Sequence, residues 1–224
     1  MKVLIISDLH IDENNDWDFI DKITVNMTNR INKKLSENEE LIVFILGDII
    51  NRGGIGNNAI KFSEAEKFID KLKVAFSDVK ILFVPGNHEI EKNSFELSAF
   101  NKFIQRHSYK KDFIFTMDAS VYSLEEVNVN FILVDSTLTR NYDLDGKIDV
   151  KALKSKMKSG KNIIFMHHPP CQQEGADRSI INEDELIATH SNFIFYGHQH
   201  GNVKVPDFLN NDTDIHSVGA LFKQ

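Results

Sequence analysis

At 224 residues the chain is long enough to bury a sizeable core, as one large domain or two very small ones. Hydrophobic residues make up 42% and charged residues 26%, as in an ordinary soluble globular protein, and no window approaches the ~20 apolar residues of a membrane span. The net charge of −7 argues against a general nucleic-acid binder, and the lone cysteine, Cys171, excludes an internal disulfide framework and fits a reducing cytoplasm.

The first apolar run, Val3–Ile6, is too short for the core of a signal peptide, and charged Asp8 follows it. It reads as a buried strand, as do Leu41–Leu46, Ile81–Val84, Phe131–Val134, Ile163–Met166 and Phe193–Tyr196, all rich in Ile, Val and Phe. Apolar residues at helical spacing predict helices over Asp16–Leu35, Ser63–Phe76 and Ser94–His107, with Ser63-Glu64-Ala65-Glu66 shaped like a capping box. Val150–Met157 and Asn182–His190 carry weaker helical patterns. Short strands are expected within Phe113–Val129, and a last strand over Asp214–Phe222. The chain stops two residues after that strand, which leaves a cut from a longer protein open. Alternating strands and helices predict an α/β fold in one domain, 1–224, and the 17 Phe residues predict a core filled with rings.

Five of the apolar runs are followed by metal-binding side chains: Asp8 with His10, Asp48, Asn87 with His88, His167 with His168, and His198 with His200. Residues two apart in extended chain point to one side, so Asp8 and His10 are expected to face one cation together. Gly47 lets the chain turn so that Asp48 sits at a strand tip, where its two oxygens can bridge two cations. After the turn Pro85-Gly86, Asn87 offers a neutral amide oxygen and His88 can donate a proton. Pro169 and Pro170 stiffen the exit from His167-His168. Gly197 and Gly201 flank His198 and His200, which again share a face. Each cluster alone is also an ordinary turn or surface histidine. Six of the nine His residues fall in these positions, so the set is read together. Imidazole and carboxylate donors suit Mn, Fe, Zn and related ions, and paired cations do phosphoryl chemistry.

In this order the motifs resemble those of the calcineurin-like metallophosphoesterase superfamily, above all its small bacterial phosphodiesterases of the cyclic-nucleotide and glycerophosphodiester type. The matching text is Asp8-Leu9-His10, Gly47-Asp48-Ile49-Ile50-Asn51-Arg52-Gly53, Gly86-Asn87-His88-Glu89, His167-His168-Pro169 and Gly197-His198-Gln199-His200. The resemblance implies a four-layer α-β-β-α sandwich of two mixed sheets, with the metal site at converging strand ends. It implies that Asp8, His10 and His200 bind one metal, that Asn87, His167 and His198 bind the other, and that Asp48 bridges them. His168 is then a residue behind the ligands or one facing substrate. His88 matches the family's proton-donating, non-ligand histidine. Two divalent ions are implied, Mn²⁺ first, with Fe, Zn, Ni or Co as alternatives. A hydroxide bridging them would attack the phosphoester. Arg52 is either a fork for the phosphate oxygens or a surface residue in a loop.

The chain departs from the family at Asn51, where many members carry an Asp that in some of them orients the catalytic histidine. Proton donation by His88 is then weaker, or another acid such as Glu89 assists. His107, His190 and His216 match no motif and read as surface or partly buried residues. Lys147, Lys151, Lys154, Lys156, Lys158 and Lys161 read as a solvated helix face. The expected activity is that of a cytoplasmic phosphodiesterase for small-molecule or nucleotide esters. A metal-dependent nuclease and a non-catalytic binding scaffold are the alternatives.

Overall fold

The computed structural model describes residues 1–222 apart from 37, 38, 52–57, 93, 95, 127, 142, 144, 172–178 and 201–212. Strands β1 (Lys2–Ile6), β2 (Leu41–Leu46) and β3 (Lys80–Val84) form a sheet in the order β1-β2-β3, with both pairs parallel. Parallel neighbours need crossovers, and helices α1 (Trp17–Asn32) and α2 (Asn58–Ala75) supply them. The second sheet runs β4 (Val121–Glu126), β5 (Val129–Val134), β6 (Lys161–Met166), β7 (Phe193–Tyr196) and β8 (Asp214–Ser217). It is mixed: β4 pairs antiparallel with β5 and every other pair is parallel. Helices α3 (Ser98–His107), α4 (Val150–Lys156) and α5 (Glu183–Ile187) complete the fold, with a 3-10 turn at Asn87–Glu89.

β2 is buried at every position, as a strand with neighbours on both edges and cover on both faces must be. In β5 the period of two divides the side chains. Phe131 and Leu133 join the core shared with the first sheet, whereas Ile132 and Val134 pack with Leu153 of α4 and Leu186 of α5. The seam between the sheets is aromatic. Phe44 stacks on Phe165 with centroids 3.8 Å apart, and Phe131 lies 5.2 Å from Phe44.

The helix caps follow local chemistry. Asp16 closes α1 by accepting from the Phe19 N–H, and Asp149 closes α4 by accepting from the Ala152 N–H. Two expectations are corrected. Helix α2 begins at Asn58, so Ser63-Glu64-Ala65-Glu66 lies inside it and is not its capping box. The last strand ends at Ser217 rather than Phe222, because the chain leaves the second sheet and reaches the first. The Leu221 N–H donates to the Ser7 carbonyl at 3.1 Å, next to a bridge between Ser7 and Ala220. Among the described residues no helix is long and apolar enough to cross a membrane.

Candidate metal centre

Parallel strands deliver their C-terminal ends to one edge, so the tips of β1, β2, β3, β6 and β7 meet there. Asp8, His10, Asp48, Asn87, His88, His167, His198 and His200 all come together at this edge. Among the described residues three donor groups result, each with potential ligand atoms within 4.8 Å of one another: Asp8, His10 and His200; His10, Asp48 and His88; Asp48, His167 and His198.

The tips are not simple extensions of the strands. Asp8, His10, Asp48 and His198 have φ of 54°, 49°, 50° and 67°, in the left-handed region that costs about 1–3 kcal/mol per residue. This corrects the reason for expecting Asp8 and His10 to share a face. Both residues leave the extended conformation, so alternation along a strand does not align them. Their loop is instead tied to the β2 tip, with the Asp8 N–H donating to the Gly47 carbonyl at 3.2 Å and the His10 N–H to the Asp48 carbonyl at 2.9 Å. Gly47, at φ 79°, lies against Gly86, and a Cβ there would stand 2.5 Å from the Gly86 nitrogen. Only glycine admits that approach of the two loops.

At one end of the centre His10 Nε2 lies 2.8 Å from His200 Nε2. Asp8 Oδ1 lies 3.5 Å from His200 Nε2 and 3.8 Å from His10 Nε2. That oxygen is buried and has no hydrogen-bond donor, while Asp8 Oδ2 accepts from the His198 N–H at 3.0 Å. A buried carboxylate oxygen without a donor, beside two imidazole nitrogens, suits a divalent cation. At the other end His167 Nε2 lies 3.1 Å from Asn87 Oδ1, 3.1 Å from His198 Nδ1 and 3.3 Å from Asp48 Oδ1. His167 Nδ1 lies 2.7 Å from the Leu46 carbonyl and donates its proton there, which leaves Nε2 to bind a cation. His88 places Nε2 3.7 Å from Asp48 Oδ2, and its backbone N–H donates to Asp48 Oδ1 at 3.0 Å.

The charges follow from this packing. Burial pushes the Asp48 carboxyl up, but the rings of His167, His88 and His10 outweigh it and hold it well below the usual range. Burial opposes a charge on His167, yet Asp48 and Asp8 overcome it and raise the ring to about 9. A cation bound at Nε2 competes with that proton. Burial also lowers His10, against the pull of Asp48 and Asp8. It takes His88 down to about 4, with Asp48 opposing and His10 and His167 assisting.

Glu89 is buried, and its carboxylate accepts four backbone N–H groups. Asp48 and Gly86 donate to Oε2 at 2.8 Å each, and Ile49 and Ile50 donate to Oε1 at 2.8 and 3.3 Å. This corrects its expected part as an assisting acid, because its oxygens are committed to holding the β2 and β3 loops together. Asn51 is held by the loop after β1. Its Nδ2 donates to Asp12 Oδ2 at 2.8 Å. Arg52 lies outside the described residues, so its expected pairing with phosphate has no structural counterpart here. His168 is only 1% exposed, which corrects the option that it faces substrate. Sequence reasoning missed Ser7, whose hydroxyl donates to the Leu46 carbonyl at 3.1 Å, and Ser136, which binds the His167-His168 backbone.

The family profile of the calcineurin-like phosphoesterases matches residues 1–202. Among curated proteins none matches the chain significantly. Among solved structures the chain is similar to the phosphopantetheinyl hydrolase PptH from Mycobacterium tuberculosis, with a TM-score of 0.53 and 14% identity, over 98% of this chain and 89% of that one. At that identity the likeness concerns the fold alone. Profile and donor set agree: the chain belongs to the calcineurin-like phosphoesterase family, whose chemistry is metal-dependent hydrolysis of phosphoesters.

Proposed function

We propose that the protein is a two-metal phosphodiesterase acting on small-molecule or nucleotide esters, working as one domain in the cytoplasm. The observation that carries this reading is the central place of Asp48. Its Oδ1 is 3.3 Å from His167 Nε2 and its Oδ2 is 4.0 Å from His10 Nε2, so one carboxylate addresses both donor sets. Asp8, His10 and His200 would hold one ion, Asn87, His167 and His198 the other, and Asp48 would bridge them. When bound, two divalent cations, Mn²⁺ first among Mn, Fe, Zn, Ni and Co, supply a water of lowered pKa and positive charge for the phosphoryl oxygens.

The chain's own groups do the rest. The Leu46 carbonyl fixes the ring of His167, and Glu89 fixes the loops that carry Asp48 and Asn87. Buried Asp8 and Asp48 balance the positive charge gathered at the centre. His88 is neutral at neutral pH. An anionic phosphoester beside it raises its affinity for a proton, so His88 becomes a donor to the leaving alkoxide once substrate is bound. A cavity of about 270 Å³ adjoins His10 and His200, lined by polar Asp12, Asn15 and Asn51 and by apolar Ile20 and Phe222. Its size and polar lining suit a small hydroxyl-bearing ester group.

The test is a hydrolysis panel in Mn²⁺ with bis-p-nitrophenyl phosphate, a phosphomonoester, cyclic AMP and single-stranded DNA. The diester and cyclic AMP are expected to be cleaved faster than the monoester. A preference for the monoester overturns the diesterase reading, and salt-sensitive cleavage of DNA alone would make the protein a nuclease.

A further inference from the structure

β5 ends at the same edge as the ligand-bearing strands, yet its tip, Asp135-Ser136-Thr137, carries no ligand. All three residues are fully buried. The turn is locked from within. Asp135 Oδ1 accepts from the Thr137 N–H at 2.8 Å and from its hydroxyl at 2.6 Å, and Asp135 Oδ2 pairs with Arg140 Nη1 at 2.8 Å. Arg140 Nη1 also donates to Thr137 Oγ1 at 2.7 Å.

Ser136 faces the ligands from this fixed turn. Its Oγ accepts from the His167 N–H at 3.3 Å and the His168 N–H at 3.0 Å. A hydroxyl has two acceptor positions and one proton. With both acceptor positions filled, the proton goes to His168 Nδ1, 2.9 Å away, and the proton of that ring sits on Nε2. His168 packs closely on the Gly146 backbone. A Cβ on Gly146 would stand 2.6 Å from its Cγ. The held ring lies against both neighbouring ligands, edge-on to His167 at 5.2 Å between centroids and tilted over His198 at 5.0 Å.

We infer that Ser136 and His168 form a positioning unit that sets the rings of His167 and His198, making the β5 tip a working part of the metal centre. This rests on the two-metal reading, and it extends that reading to residues that touch neither cation nor substrate. It also assigns the two ends of the centre different dependence on β5. His167 and His198 lean on this unit, whereas the rings of His10 and His200 meet each other, with centroids 4.7 Å apart.

The test titrates Mn²⁺ and Co²⁺ alone into wild-type protein, Ser136→Ala, Ser136→Thr and His168→Asn, following binding heat and the visible Co²⁺ spectrum. Melting temperatures are recorded in parallel. Ser136→Ala is expected to weaken one of two binding events about 10- to 100-fold, to leave the other unchanged, and to shift the Co²⁺ bands. Ser136→Thr keeps the hydroxyl and is expected to restore part of the loss. His168→Asn keeps an acceptor opposite Ser136 but loses the ring, and is expected to weaken the same single event. Two events unchanged in both Ser136→Ala and His168→Asn would overturn the positioning role and leave the two-metal reading intact. Equal weakening of both events, in step with a lower melting temperature, would reduce Ser136 to a structural residue. Wild-type protein that binds no divalent ion would overturn both readings.

Discussion

The carboxylate of Glu89 and the backbone of Asp48 are joined by a 2.8 Å hydrogen bond, so the central residue of the site is held by a fully buried side chain. The same carboxylate reaches Gly86, Ile49 and Ile50, and therefore two loops share one anchor. In Glu89→Gln an amide N–H2 would confront backbone N–H groups. We expect a loss of about 1–3 kcal/mol in stability and weaker Mn²⁺ binding, read by urea unfolding and by metal titration. Unchanged values for both would show that the anchor is dispensable.

Asp48 lies between the donor sets, so Asp48→Ala should abolish turnover and metal binding together. The affinity loss should exceed the ~100-fold typical of removing a ligand's supporting partner. Elemental analysis of the purified variant and its rate on bis-p-nitrophenyl phosphate check this. Retained metal-dependent activity would remove the bridging role.

His88 is proposed as the proton donor, yet its ring also belongs to a donor group with His10 and Asp48. The two roles separate by leaving group. As a donor, His88→Ala should slow alkyl esters by about 10²–10⁴-fold and p-nitrophenyl esters far less, since nitrophenolate leaves without a proton. As a ligand, the substitution should slow both equally and lower the bound metal.

Cations that bind only the folded protein raise its stability, by about 2.7 kcal/mol at a hundredfold excess over Kd. For a chain of this length, adding Mn²⁺ should raise the melting temperature by about 5–10 °C, and a chelator should reverse the shift. A melting temperature indifferent to Mn²⁺ would contradict binding at this centre.

Far from the centre, His107 of α3 meets Lys73, Glu66 and Asp70 across from α2. Burial first, then Lys73, lowers its pKa from 6.5, while Glu66 and Asp70 oppose. With the folded value depressed, the unfolded chain binds the proton more readily. The stability tied to His107 is therefore whole above pH 6.5 and is lost as pH falls through the folded value. His107→Gln should lose less stability than wild type between pH 7 and pH 5, measured as urea midpoints. Parallel slopes would refute the assignment.

Six of the strands were legible because each contains a short apolar run, and the candidate ligand residues because they follow five of those runs directly. What escaped, apart from the turn at Gly47, was most of what positions them. Left-handed conformations at Asp8, His10, Asp48 and His198 follow from loop-to-loop contacts that no local pattern encodes. Glu89 reads as one more acid beside a histidine, and only the meeting of the β2 and β3 loops makes it an anchor. Ser136 stands one residue beyond Asp135 at the end of an apolar run, just where the other runs carry donors. A search for metal ligands passes over a hydroxyl. Helix α2 began early because Asn58 to Lys61 can be helical without the apolar spacing that made Ser63 look like a start.

The seam of stacked phenylalanines has a further consequence. Asp8, His10, Asp48 and Asn87 ride on one sheet, while His167, His198 and His200 ride on the other, so neither half alone presents the full set. A folding intermediate with the two sheets still apart would keep at most the group of His10, Asp48 and His88 and would lack the other two, which need donors from both sheets. Completion of the donor set therefore marks the moment at which the halves have closed.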